Sequence, residues 1–123
     1  MNFLPGAIKR ADGAFTLGSL TLAADREPDA LHEGDAALLA IRPEDVLPRP
    51  LEIPDNDGPR ARVRRTTFRG ASVRVSLVLT ETLPELPIEA DLPAGRAREL
   101  GLTRGAIVRL RLPAARISAY KAA

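Results

Sequence analysis

The stretch Leu31 to Pro48, LHEGDAALLAIRPEDVLP, decides the fold, because much of its plan returns near the C-terminus as LTRGAIVRLRLPAARIS, Leu102 to Ser118. In each copy a Leu precedes a Gly by three residues: Leu31 and Gly34, then Leu102 and Gly105. The Gly opens an apolar strand, a proline ends it, and a short polar turn leads to another aliphatic residue, Val46 or Ile117. Between Gly and Pro the copies fall out of step by one residue. Two such strand-to-proline units in a chain of 123 residues point to a duplicated β-module. They argue against a purely helical chain.

The pattern extends outward from these units. Residues Ala7 to Ala11 and Ala14 to Leu17 flank Asp12-Gly13, a hairpin signal. Ser19 to Ala23 follows as a strand, and the polar run Ala24 to Glu33, with Pro28, reads as a loop. Asp35 to Ile41 is a mostly buried strand. Pro43 with Glu44 and Asp45 fits one helical turn, with Glu44 free to cap exposed amides. The run Leu47 to Pro59 holds four prolines and Asn56-Asp57-Gly58, and reads as a linker between half-modules at about 1–48 and 60–123 of a single domain, 1–123. Arg60 to Phe68 and Ala71 to Thr80 form a second hairpin turning near Arg69-Gly70. Val73, Val75, Leu77 and Leu79 share one face of its second strand, and Arg74, Ser76, Val78 and Thr80 the other. Ile88 to Leu92 is a short strand, and Ala94 to Leu100 the one helix, stopped by Gly101. Ile107 to Leu112 alternates again, and Arg116 to Tyr120 is a last edge strand. Many short strands with one small helix make an all-β, barrel-like fold. Its expected core is Leu39, Ile41, Val63, Val73, Val75, Leu77, Val108, Leu110 and Leu112.

Composition narrows the chemistry. Phe3, Phe15, Phe68 and Tyr120 are the only aromatic residues, so the core rests on aliphatic side chains. Cysteine is absent, which excludes disulfides and thiolate metal sites. No run approaches the roughly 20 apolar residues that span a bilayer. Formal net charge is only +2, although nearly all the basic residues are Arg. His32, the one histidine, sits beside Glu33 and Asp35 in a polar loop and reads as solvated. No catalytic residue, metal ligand or cofactor site is expected, and the absence of a GxxxxGK[ST] loop excludes P-loop ATP binding. The basic stretch Arg60, Arg62, Arg64, Arg65, Arg69 and Arg74 lacks the interleaved aromatics of single-strand binders; only Phe68 is near. It reads as a solvated strand face, and nucleic acid is not an expected partner.

Three segments together resemble a known family: MNFLPG at Met1 to Gly6, EGD-x-x-x-L-x-IRPEDV at Glu33 to Val46, and F-x-G-x-x-x-x-V at Phe68 to Val75. They resemble the C-terminal TOBE-type accessory domain of ABC-importer ATPase subunits, the class that includes maltose, polyamine, iron, sulfate and phosphonate importers. The resemblance covers essentially the whole chain, with IRPED as its specific part. It implies small antiparallel barrels related to the oligonucleotide-binding (OB) fold, with strands exchanged between two interleaved halves. It also implies a non-catalytic dimerisation and regulatory domain at the cytoplasmic face of the membrane, read as the tail of a longer subunit whose ATPase domain carries ATP and Mg. The implied partners are its own copy, that ATPase domain and the membrane permease. Arg42, Pro43, Glu44, Phe68, Arg69 and Gly70 are the expected interface. A rival reading makes the chain an oxyanion-capturing module, with Thr66, Thr67 and Ser72 joining Arg69 and Gly70 as anion contacts. A third reading is a nucleic-acid-binding barrel. The second half departs from the family pattern, with Pro113-Ala114-Ala115 where the first has Arg42-Pro43-Glu44.

Overall fold

The computed structural model describes residues 1–51 and 58–122. Among them ten strands, one helix and two 3-10 turns follow in the order β1 (Asn2–Lys9), β2 (Phe15–Leu17), β3 (Leu20–Leu22), β4 (Ala36–Ile41), the first 3-10 turn (Pro43–Asp45), β5 (Leu47–Arg49), β6 (Arg60–Arg69), β7 (Ser72–Leu79), β8 (Leu86–Pro93), α1 (Ala94–Glu99), β9 (Ile107–Arg111), the second 3-10 turn (Ala114–Arg116) and β10 (Ser118–Lys121). They build two five-stranded antiparallel sheets, β10-β4-β1-β2-β3 and β5-β9-β6-β7-β8. The two orders are the same motif used twice. In each, the fifth strand comes from the other half: β5 leaves the first half to pair with β9, and β10 leaves the second to pair with β4. The result is an OB-like, all-β fold of two interleaved modules.

The repeat aligns once the turns are seen. Leu31, Gly34, Leu39, Asp45 and Val46 stand at one constant offset from Leu102, Gly105, Leu110, Arg116 and Ile117. Gly34 and Gly105 both hold positive φ, +89° and +88°, which favours glycine and lets the chain turn into β4 and β9. The proline is the element out of step. Pro43 is the first residue of its 3-10 turn, whereas Pro113 stands one residue before the second turn. Either position suits a residue whose φ is already set near −65°.

Several local expectations are corrected. The first strand begins at Asn2, not Ala7; pairing with β4 breaks between Leu4 and Ala7, so Pro5 and Gly6 form an irregularity that the strand passes through. The expected linker starts too early, because Leu47–Arg49 is β5, with Pro48 buried opposite Leu110. An edge strand accepts this proline, since its missing N–H costs no ladder bond on the outer side. Asn56 and Asp57 lie outside the described residues. Strand β8 is longer than Ile88 to Leu92, and α1 ends at Glu99. Leu112 is only partly buried, because β9 ends at Arg111 and the chain is already turning.

The alternating pattern of β7 holds from Val73 to Leu77, with Arg74 and Ser76 half-exposed between buried Val73, Val75 and Leu77; it ends at Val78, which is buried like Leu79 and not on a wet face as expected. The inner faces of both sheets meet in one core that runs from Leu4, Phe15 and Leu39 to Val63, Val75, Ile88 and Leu110. Asn2 is one of two buried polar residues among those described. Its side-chain amide donates to the Glu89 carbonyl and accepts from the Glu89 N–H, each at 2.8 Å. The amide thus does for β8 what a neighbouring strand would, and ties β1 of one sheet to the edge strand of the other.

Two stability outcomes follow. Asn2→Ala leaves both Glu89 backbone groups without these bonds and is expected to cost about 1–3 kcal/mol, read as a lower urea midpoint at unchanged slope. Val75→Ala empties space in the shared core and is expected to cost about 2 kcal/mol; a midpoint equal to wild type would show that Val75 does not fill it.

Candidate functional site

The β6–β7 hairpin carries one set of sequence-singled residues. A register break between Val63 and Arg65 precedes regular pairing from Arg65↔Ser76 to Arg69↔Ser72, closed by Gly70 at φ +73°. Phe68 is 73% exposed, a large apolar side chain displayed on a paired strand. Thr67, Arg69 and Gly70 are exposed, and Thr66 is half-buried. The Ser72 hydroxyl donates to the Arg69 carbonyl at 3.4 Å. The Ala94 N–H at the start of α1 donates to Ala71 O at 3.0 Å, holding the tip against the helix.

The basic stretch does not act as one patch. Arg74 faces Asp91 directly across the β7–β8 ladder and pairs with it through Nε and a guanidinium nitrogen; Glu89 adds a contact at 3.3 Å. Arg62 pairs with Glu85 at 2.8 Å. Arg64 and Arg65 are exposed and, with Arg104, Met1 and Phe3, line a groove of about 870 Å³.

The first 3-10 turn carries the other set. Pro43 is buried, Arg42 and Glu44 are exposed, and the turn packs against β8. No side-chain hydrogen bond caps this turn, so the capping role expected of Glu44 is not seen; the Asp45 N–H donates instead to the Arg42 carbonyl at 2.9 Å. Asp45 faces Arg116 of the second 3-10 turn at 3.9 Å, an acid and a base at repeat-equivalent positions. Arg42 lines a second pocket, of about 310 Å³, with Arg26, Asp45, Arg116, Ser118 and Tyr120. Phe68, Arg69 and Gly70 line neither cavity, so these two do not bring the two candidate sets together. Arg26, Arg116, Ser118 and Tyr120 carry no local sequence signal; only the return of β10 to β4 places them beside Arg42.

His32 is exposed in its loop. Its backbone N–H donates to Asp35 at 2.9 Å, and that bond is the main reason the Asp35 carboxyl is held below its usual value. No group of three or more His, Cys, Asp or Glu residues that could hold a metal ion occurs among the described residues.

Titration checks the β7–β8 ion pair. The hydrogen bond from Arg74 holds the Asp91 carboxyl below its ordinary value of 3.8; burial opposes this and the charge of Arg74 adds to it. A depressed folded value means that the stabilisation is present above the unfolded carboxylate pKa and is lost as pH falls through the folded one. Arg74→Met is expected to return Asp91 toward 3.8 in side-chain carboxyl NMR. An unmoved Asp91 would rule out the pair as the cause.

Comparison with known proteins gives three likenesses. Residues 54–113 match the TOBE-like domain family. The sulfate/thiosulfate import ATP-binding protein CysA 2 of Chromobacterium violaceum is 36% identical over 120 residues, 97% of this chain and 31% of that protein. The chain thus spans about a third of the length of this relative. The cytoplasmic molybdate-binding protein ModG, solved with molybdate bound, superposes with a TM-score of 0.70 at 15% identity, covering 96% of this chain and 94% of the other. At that identity the likeness establishes the fold alone.

Proposed function

We propose that this chain, whose residues 54–113 are a TOBE-like domain, is a non-catalytic dimerisation and regulatory module of an ABC-importer ATP-binding subunit, acting at the cytoplasmic face of the membrane. The observation that carries this reading is a match along almost the whole chain to a minor portion of an import ATP-binding protein. A module of that relative size leaves ATP, Mg and the catalytic motifs to the rest of the subunit. Its partners are then the ATPase domain, the permease and its own copy.

The pairing surface in this reading is the turn Arg42-Pro43-Glu44 with the hairpin tip Phe68-Arg69-Gly70. The exposed Phe68 side chain supports it, as a large apolar group on a paired strand suits burial against a partner. A two-fold interface would use each contact twice. A second reading, capture of a small oxyanion by Thr66, Thr67, Arg69, Gly70 and Ser72, draws support from the fold shared with ModG. Nucleic acid is not a proposed partner, since Arg62 and Arg74 are engaged with acids and the chain has only four aromatic residues, with Phe68 alone among them within the basic stretch.

Sedimentation velocity of the full ATP-binding subunit, with and without the segment Met1 to Ala123, checks the proposal. Deletion is expected to shift the subunit toward monomer, and Phe68→Ala to do so in part. Unchanged dimer formation and unchanged transport regulation would leave ligand capture as the better reading.

A further inference from the structure

The geometry points to a docking groove for an extended acidic segment of another protein, anchored at one end by an apolar side chain. The groove runs from the turn before β9 across β6, β7 and β8 to the start of β1. The inference does not rest on the importer reading, and it uses neither the turn Arg42-Pro43-Glu44 nor the hairpin tip Phe68-Arg69-Gly70.

A bulge builds the basic end. Val63 pairs with Leu77 and Arg65 with Ser76, so Arg64 is an extra residue in β6. Adjacent side chains of a regular strand point to opposite faces. Here Arg64 and Arg65 are both exposed, directly after buried Val63. The Val63 N–H donates to the Ala106 carbonyl at 2.9 Å, and the Val63 carbonyl accepts from the Gly105 N–H at 2.8 Å. These two bonds hold the turn that carries Arg104 beside the bulge. Arg64, Arg65 and Arg104 have no ion-pair partner among the described residues. Glu89, the acid on the groove wall, is already engaged: one carboxylate oxygen accepts from Arg74 at 3.3 Å and the other from the Ser76 hydroxyl at 3.4 Å. Arg62 is held by Glu85. The basic end therefore asks for carboxylates from outside.

The other end is apolar. Met1 and Phe3 are 61% and 55% exposed, and both line the groove. Asn2 between them is fixed on the Glu89 backbone by its two 2.8 Å bonds, so the start of β1 is held at the groove wall. Three strand spacings from β6 to β1 make roughly 15 Å, the reach of about four to five extended residues at ~3.3 Å each. An occupant that meets both ends is a stretch of chain with acids and an apolar group several residues apart. The groove volume of about 870 Å³ has room for it. A second copy of this chain fits worse, because two-fold pairing through the groove sets the same arginines against each other.

Isothermal titration calorimetry of this chain at low ionic strength tests the groove with three end-blocked heptapeptides: EEDEGLF, its amide counterpart QQNQGLF, and EEDEGGG, which lacks the apolar anchor. EEDEGLF is expected to bind saturably at one site, QQNQGLF about tenfold more weakly or worse, and EEDEGGG several-fold more weakly. Arg64→Ala and Arg104→Ala should each weaken EEDEGLF several-fold, with unchanged circular dichroism. Phe3→Ser should weaken EEDEGLF and leave EEDEGGG unaltered, a coupling that a general loss of structure does not produce. Arg42→Ala and Phe68→Ala should change nothing. The inference is overturned if EEDEGLF gives no saturable heat, if QQNQGLF binds equally well, or if Arg42→Ala weakens binding as much as Arg64→Ala, which would mean diffuse charge. Two further results overturn it by naming another occupant. One is oligothymidylate binding tighter than EEDEGLF and lost in Arg64→Ala, which would make the groove a nucleic-acid site. The other is self-association of the chain in sedimentation velocity that Arg64→Ala abolishes, which would seat a second copy there.

Discussion

The reciprocal exchange of β5 and β10 is the constraint on which the rest of the structure depends. A strand without a neighbour exposes a row of backbone donors and acceptors. In each half the fourth strand would be left in that state, because the chain leaves it through a 3-10 turn and crosses to the other sheet. β10 completes the ladder on β4, and β5 completes it on β9. Each half thus supplies a strand to the sheet of the other, and the two sheets share one core. The Asn2 amide on Glu89 and the Asp45–Arg116 pair lie across the same junction.

This arrangement explains how a chain so poor in aromatics builds a core. Phe15 is the only fully buried aromatic side chain among the described residues. Two separate small barrels filled with Val, Leu, Ile and Ala would each bury a low fraction of their surface. Exchange merges the inner faces into one continuous cluster, with both post-turn residues, Val46 and Ile117, fully enclosed. The polar faces are left for other work. There, Arg74 pairs with Asp91 across the β7–β8 ladder and Arg62 with Glu85 just before β8, while Arg64, Arg65 and Arg104 line one cavity and Arg26, Arg42 and Arg116 the other.

The likenesses agree with this division between interior and surface. The fold is shared with a molybdate-binding protein at an identity too low to carry a site, while the stronger sequence match is to part of an import ATP-binding protein. Backbone pairing and core shape persist where surface residues change, because the interior tolerates only side chains of similar volume and the surface tolerates most polar ones. A reading of function therefore rests on which exposed groups the fold brings together.

The sequence by itself determined the all-β class, the duplicated unit and most strands, because these depend on short-range chemistry. Alternation in Val73 to Leu79 sets which side chains enter the core, and Gly34, Gly105 and Pro43 set where the chain turns. The IRPED segment pointed to the family on the same local grounds. Local rules misread Asn2 and Leu47 to Arg49, since a chain start and a proline-rich run look like loop until a partner strand arrives. Only the tertiary structure decided that Arg26, Arg42 and Arg116 share a pocket and that Phe68 stands apart from it. Those relations depend on β10 returning to β4 from the far end of the chain, a long-range pairing whose enthalpy of hydrogen bonding and burial leaves no periodic trace in either segment alone.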